Sequence, residues 1–363
     1  MELNKKQQKV LDKAQKIFGD KINSKNIDIV EQTILITYDI DYVNYTDEMV
    51  KDLFNDVIYP KSENNLYSKY IIPPYSIFDT KSKEWKDRKK LLDDYFGGSL
   101  VGRKERLAYT NPNWKVREDD TGTSQFDSLL CEIVYKWFGF DNCKVYDPFA
   151  GGHIRGLMAA KLGYRYFGID LNKEQIEENK KIAEEIKFKG KVKWVVDDSL
   201  NVDNYIKEDK IVDLIFSCPP YADLEKYTDD KRDLSNMEYK YFKIVYSEII
   251  KRACKKLKDD SFVVFVVSDA RGKDGLYYGI VKDTILAFEK VGLKLYNEII
   301  LLNNIGTAAM RASNTFSFRK VVRLHQNVLV FYKGDIKRIK EKYNNIDCAL
   351  PFKVKSGNQQ TLI

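Results

Sequence analysis

The chain has 363 residues and a mass of 42.4 kDa, room for about two domains. Its 44% hydrophobic content excludes a chain disordered throughout. No run of about 18 apolar residues exists, so no membrane span is expected. Lys and Arg number 61 against 54 Asp and Glu, a net charge of +7 that permits a nucleic-acid partner without requiring one. The five cysteines (Cys131, Cys143, Cys218, Cys254 and Cys348) are scattered, and His153 and His325 are the two histidines. With no Cys-x-x-Cys pair, neither a metal site nor a disulfide framework is expected. The N-terminus lacks an apolar leader stretch, and the expected compartment is a reducing cytoplasm. The oligomeric state cannot be read from the sequence.

In chain order, residues 5 to 18 carry apolar residues at helical spacing. Residues 27 to 40, rich in Ile, Thr and Tyr, read as a strand. Thr46 is the expected cap of a helix over 48 to 58. The segment from Tyr70 to Phe78, with two prolines, reads as a crossing segment. Ser82 caps a basic helix closed by Gly97 and Gly98, and residues 99 to 125 read as a polar surface loop. From residue 126 strands alternate with helices. Asp127 caps a helix, and strands begin near Lys144, Tyr164, Val192, Val212 and Ser261. Helices are expected over His153 to Gly163, Lys173 to Ile186 and Lys282 to Val291. Two more strands start at Leu293 and Val328 with no helix between them, which predicts an antiparallel hairpin. Strand–helix alternation predicts an α/β fold with a mainly parallel sheet covered on both faces. Seven strands ending in such a hairpin resemble the Rossmann-like S-adenosylmethionine-dependent methyltransferase fold.

The first strand of this region hands over to its helix through Asp147-Pro-Phe-Ala-Gly-Gly-His153. Ligands of doubly wound sheets bind at the carboxyl ends of strands, near this turn. The glycines do not match Gly-x-Gly-x-x-Gly. Asp170, at the end of the next strand, is placed to accept hydrogen bonds from ribose hydroxyls. Asp147 argues against a pyrophosphate, which a carboxylate repels, and for the ammonium of a methionine moiety.

Ser217-Cys-Pro-Pro-Tyr221 closes the strand that begins at Val212. Two prolines force the chain out of the sheet and leave carbonyls that no ladder satisfies. Such a turn suits the holding of an exocyclic amine, and Tyr221 offers a face for a base to stack on. Pro73-Pro74-Tyr75 repeats the tripeptide without a preceding glycine turn and reads as structural.

Asp147-PFAGG with Cys218-PPY resembles the DNA amino-methyltransferases, which methylate adenine N6 or cytosine N4. The strings SCPPYADLEKYTDDKRDLSNM, TSQFDSLLCEIVYKWF and HQNVLVFYKGD resemble phage- and prophage-encoded members, and IIPPYSIFDTKSKEWKDRKK resembles their lead-in. The resemblance covers roughly residues 70 to 335. It implies that S-adenosylmethionine is the cofactor and DNA the partner. Asp147, Pro148, Phe149, Ala150, Gly151, Gly152, Asp170 and Leu171 would hold the cofactor. Asp198 would contact its adenine, and Phe126 lies in a further cofactor-side motif. Ser217, Cys218, Pro219, Pro220 and Tyr221 would form the catalytic turn around a flipped base. The family usually has Asp, Asn or Ser where Cys218 stands. Cys is nearer Ser in size, which leans to cytosine, whereas the frequency of such enzymes leans to adenine; adenine is narrowly favoured. The competing readings are methylation of an amine or amide on RNA or protein, and a catalytically silent DNA-binding protein.

The expected organisation is an α+β appendage over 1–69, a lead-in over 70–125, the catalytic domain over 126–340 and a tail over 341–363. The run from Tyr221 to Tyr246 is expected as a lid over the base pocket. From Asn303 to Gln326 no acid occurs, while Arg311, Arg319, Lys320 and Arg323 are interleaved with Phe316 and Phe318. This long turn is the expected DNA contact.

Overall fold

The computed structural model describes residues 5–22, 27, 30, 47, 50, 66–97, 125–221, 228–303, 306, 308–343 and 346–352. The chain divides into two units, Met1–Ile71 and Ile72–Ile363. In the first, helix α1 (Lys5–Phe18) buries Val10, Leu11, Ala14 and Phe18 with Val30 and Val50. Ile27 and Val30 are helical, which corrects the strand expected to start there; the rest of that segment lies outside the described residues. Asp47 and Val50 are helical, in the segment expected as a helix. Helix α2 (Leu66–Tyr70) closes this unit.

The second unit is built on one eight-stranded sheet. Its strands are β1 (Ile77–Asp79), β2 (Lys144–Asp147), β3 (Arg165–Asp170), β4 (Lys191–Val196), β5 (Val212–Ser217), β6 (Leu257–Val267), β7 (Lys294–Leu302) and β8 (His325–Lys333). Their order is β1-β7-β8-β6-β5-β2-β3-β4. β8 lies antiparallel between β6 and β7, and all other pairs are parallel. Without β1, this is the strand order of the methyltransferase fold with its reversed last strand. β1 corrects the reading of 70 to 78 as a mere crossing segment: it adds a parallel edge strand on β7, with Ile77 opposite Ile300.

Ser82 caps helix α3 (Lys83–Phe96) by accepting from Trp85 N. Asp127 caps helix α4 (Ser128–Phe138) by accepting from Leu130 N at 3.0 Å. α4 covers one face of the sheet, where Tyr135 packs edge-on against Phe216, ring centroids 5.4 Å apart. Helices α5 (Ile154–Lys161) and α6 (Lys173–Glu184) follow β2 and β3. Helix α7 (Tyr239–Lys256) buries Phe242, Tyr246, Ile249 and Ile250 against Val263, Phe265 and Phe331, joined by Phe288 of helix α8 (Ile280–Lys290). The lid expected over 221 to 246 is corrected here. From Tyr239 onward it is a crossover helix that turns Phe242 and Tyr246 into the core. Residues 222–227 lie outside the described residues, as do residues 98–124 of the segment expected as a surface loop.

The antiparallel partnership of the last two strands is present. Their connection is not an open turn: it contains helix α9 (Ala308–Thr315) and a further helical turn over Phe316–Phe318.

Candidate active site

The strand order changes direction between β2 and β5, which are hydrogen-bonded neighbours with Tyr146 opposite Ile215. In doubly wound sheets ligands bind at such a switch point, beyond the carboxyl ends of the strands. The glycine turn leaves β2 there and the Pro-Pro turn leaves β5 there. Gly151 in the first adopts φ +50°, a left-handed conformation that glycine takes at little cost.

The two turns are joined through Asp147. Its carboxylate is fully buried and takes four donors. Oδ1 accepts from Ser217 Oγ at 2.5 Å and Phe149 N at 3.1 Å. Oδ2 accepts from Arg155 Nε and Tyr166 OH, both at 2.7 Å. The sequence reading set Asp147 beside a ligand's ammonium; here its carboxylate is directed at these protein donors. Four donors match the lone-pair capacity of a carboxylate, so burial is compensated. Ser217 is likewise turned into the core, toward Asp147 rather than outward.

Arg155, from the buried face of α5, was not singled out by sequence reasoning. It donates through Nη2 to the carbonyls of Phe149 at 2.6 Å and Ala150 at 3.0 Å. Its guanidinium also lies 4.5 Å from the Phe126 ring centroid. Burial pulls the Arg155 pKa down most strongly, but the Asp147 carboxylate, joined by Tyr166 and Cys218, raises it overall and keeps the charge. One side chain thus fixes the Phe149 and Ala150 carbonyls and lies against the Phe126 ring. The available signal was a charged residue inside an otherwise apolar helical stretch. Pro148 O accepts from Ser199 Oγ, and Gly151 O accepts from Asn179 Nδ2 at 2.7 Å. Arg155, Ser199 and Asn179 thus hold the turn from three helical segments.

Asp170 and Asp198 stand at the carboxyl ends of adjacent strands, both half-buried. Asp170 Oδ2 accepts from Gly151 N at 2.7 Å and Oδ1 from Asn172 N at 2.9 Å. Burial pushes its carboxyl above the ordinary aspartate value, against those two N–H groups, which pull it down. One bond per oxygen leaves acceptor capacity for two hydroxyls. Asp198 Oδ1 accepts from Leu200 N at 2.9 Å and so starts a short helical turn. Leu171, Phe149 and Gly152 are half-buried around the same edge, and Ala150 is buried. This donor and acceptor set fits the adenosine half of S-adenosylmethionine.

In the Pro-Pro turn, Pro219 is buried, Cys218 and Pro220 are half-buried, and Tyr221 is 9% exposed. Tyr221 OH lies 3.2 Å from Cys218 Sγ, donates to Val266 O at 3.4 Å and accepts from Gln326 Nε2 at 3.0 Å. The ring expected to face a base is packed into the core in this structure. Tyr75, of the repeated tripeptide, is 62% exposed. Among the predicted DNA contacts, Arg311 and Arg319 are exposed and Lys320 is half-buried. Arg323 is drawn back, donating through Nε to His325 O at 3.2 Å and through Nη2 to Asn327 Oδ1. Among the described residues no cluster of His, Cys, Asp or Glu is arranged to hold a metal ion, and no helix is long and apolar enough to cross a membrane.

A family model described as DNA methylase matches residues 212–361, and one described as RNA cap guanine-N2 methyltransferase matches residues 143–266. No curated protein matches the sequence significantly. Similar solved structures include an S-adenosylmethionine-dependent methyltransferase from Methanosarcina mazei, at 15% identity, TM-score 0.39, covering 55% of this chain and 96% of that one. Another is an rRNA methylase from Streptococcus thermophilus, at 10% identity, TM-score 0.36, covering 57% of this chain and 95% of that one. The fold assignment rests on the strand order itself. S-adenosylmethionine is the cofactor of this fold and of the family whose model matches. The chain has the S-adenosylmethionine-dependent methyltransferase fold, and its residues 212–361 match the DNA methylase family model.

Proposed function

We propose that the protein transfers a methyl group from S-adenosylmethionine to the exocyclic amine of a flipped DNA base, adenine N6 ahead of cytosine N4. The observation that carries the proposal is the Ser217–Asp147 bond, which couples the turn that would hold the donor to the turn that would hold the acceptor. The DNA methylase match begins at the strand leading into the second turn, which supports the same reading.

When bound, the cofactor supplies an electrophilic methyl on sulfur. Asp170 would accept from the ribose hydroxyls, Asp198 would contact the adenine, and the backbone of 148 to 152, fixed by Arg155, would shape the cradle. The carbonyls of Cys218 and Pro219 accept the N–H bonds of the target amine. They draw its lone pair out of conjugation and stabilise the positive charge that develops on nitrogen. Ser217 acts as a positioning residue, since its hydroxyl is committed to Asp147. Stacking on Tyr221 would require its ring to be uncovered when a base enters, because duplex bases must leave the stack to react. Arg311, Arg319 and Lys320 are the proposed phosphate contacts.

The test is transfer of labelled methyl to duplex DNA, followed by identification of the modified base. Labelled N6-methyladenine or N4-methylcytosine is the expected product. A second reading, methylation of an RNA amine, is favoured by the match of residues 143–266 to an RNA guanine-N2 methyltransferase model. Label in RNA with none in DNA would replace the first reading by the second.

A further inference from the structure

We propose that residues 268–279, which connect β6 to α8, form a second wall of the DNA-binding face, with Arg271 as a phosphate contact. The inference rests on the reading of DNA as partner. β7 runs parallel to β6, since both are antiparallel to β8. The connections after β6 and after β7 therefore leave from the same edge of the sheet, the edge that carries the glycine and Pro-Pro turns.

The 268–279 connection folds back on itself through an antiparallel bridge between Arg271 and Tyr277. The Arg271 guanidinium lies over the Tyr277 ring, 3.9 Å from its centroid, and Nη1 donates to Gly275 O at 2.9 Å. One tether and one stacking partner fix the plane of a group with five N–H donors, a fork suited to phosphate. The two acids of the segment are turned to backbone donors. Asp269 accepts from Ala270 N, Gly279 N and Ile280 N at 3.0, 2.9 and 3.2 Å, and Asp274 accepts from Leu276 N at 2.9 Å.

This connection meets the acid-free one. A Cβ built on Gly275 would fall 2.2 Å from Lys320 Nζ, so the Lys320 ammonium rests directly against that glycine. Cations alternate with rings across the joint. Arg319 lies 5.3 Å from the Phe316 ring and Lys320 5.7 Å from the Phe318 ring. Phe318 is 77% and Tyr277 42% exposed. Cations for phosphates with exposed rings between them are what an unstacked strand needs.

The experiment measures duplex-DNA affinity of the full-length protein against salt concentration. Arg271→Ala should flatten the slope of log K against log salt by about 0.9, one phosphate contact, with S-adenosylmethionine affinity unchanged. Arg271→Lys should keep the slope, because the charge remains. Arg319→Ala with Lys320→Ala serves as the reference. An unchanged slope in Arg271→Ala beside a flatter slope in the reference overturns the second wall and leaves the DNA reading intact. Absence of DNA binding by the unsubstituted protein, or tighter binding of RNA of the same sequence, overturns both. If Arg271→Ala is poorly folded, Lys273→Ala at the exposed tip gives the same readout: a flatter slope supports the wall and an unchanged one overturns it.

Discussion

Gln326 Nε2 donates to Tyr221 OH at 3.0 Å, which ties the second residue of β8 to the tyrosine of the Pro-Pro turn. Tyr221 is also buried, so its ring and its hydroxyl separate as experimental variables.

Tyr221→Phe keeps the ring and loses the bonds to Gln326 and Val266. It should cost about 1 kcal/mol of stability and retain most methyl transfer. Tyr221→Ala should lose most transfer with cofactor affinity kept, at a stability cost of about 3–5 kcal/mol. Tyr75→Ala, at an exposed ring, should leave the chemical step intact. Single-turnover rates decide; equal defects at Tyr75 and Tyr221 would remove the Pro-Pro turn from the site.

Asp170→Ala should weaken S-adenosylmethionine binding by about 1.5–3 kcal/mol, the worth of hydrogen bonds to a charged group. The raised carboxyl pKa adds a pH dependence. A carboxyl raised on folding favours the folded state fully below the ordinary value of 3.8, and that contribution is lost as pH rises through the raised one. Binding runs in the opposite sense, because hydroxyl donors need the ionised form. Affinity should fall on acidification at a pH above 3.8, and Asp170→Asn should flatten that profile. Calorimetry across pH checks it; a flat profile in the unsubstituted protein would set Asp170 apart from the ribose.

Asp147→Ala leaves the buried Arg155 guanidinium without its carboxylate. The expected loss is about 3–5 kcal/mol in urea unfolding, as for one partner removed from a buried ion pair. Ser217→Ala removes one of four donors and should cost about 1 kcal/mol. A loss at Asp147 no larger than that at Ser217 would contradict the network as the holder of the glycine turn.

At Cys218, carbonyl acceptors predict that Cys218→Ala retains activity within about tenfold, roughly 1.4 kcal/mol, and that Cys218→Ser is active. A collapse of Cys218→Ala with Cys218→Asp fully active would transfer the acceptor role to the side chain.

The strands from Lys144 onward were legible because apolar runs bounded by turn residues recur at regular spacing, and the reversed last pair followed from a missing crossover helix. β1 was not legible: three residues after two prolines carry no pattern, and only the β7 edge makes them a strand. The helix from Tyr239 was hidden by the acids before it, and α9 by its weakly apolar sequence. At the site, sequence order exposed the two turns but not the Asp147–Arg155–Tyr166–Ser217 cluster. Its members come from four different elements and meet only through the sheet register.

The Ser217–Asp147 bond has a consequence for how such a protein can diversify. The glycine turn and the Pro-Pro turn are braced by buried groups at the sheet's centre, so their separation is set by the scaffold. The segments carrying Arg271, Arg319 and Phe318 hang from other strand ends and share none of those braces. On the proposed function, substitutions there would alter which polymer or sequence is selected while the distance between the two turns stays the same. Recognition and reaction would then be separately heritable traits.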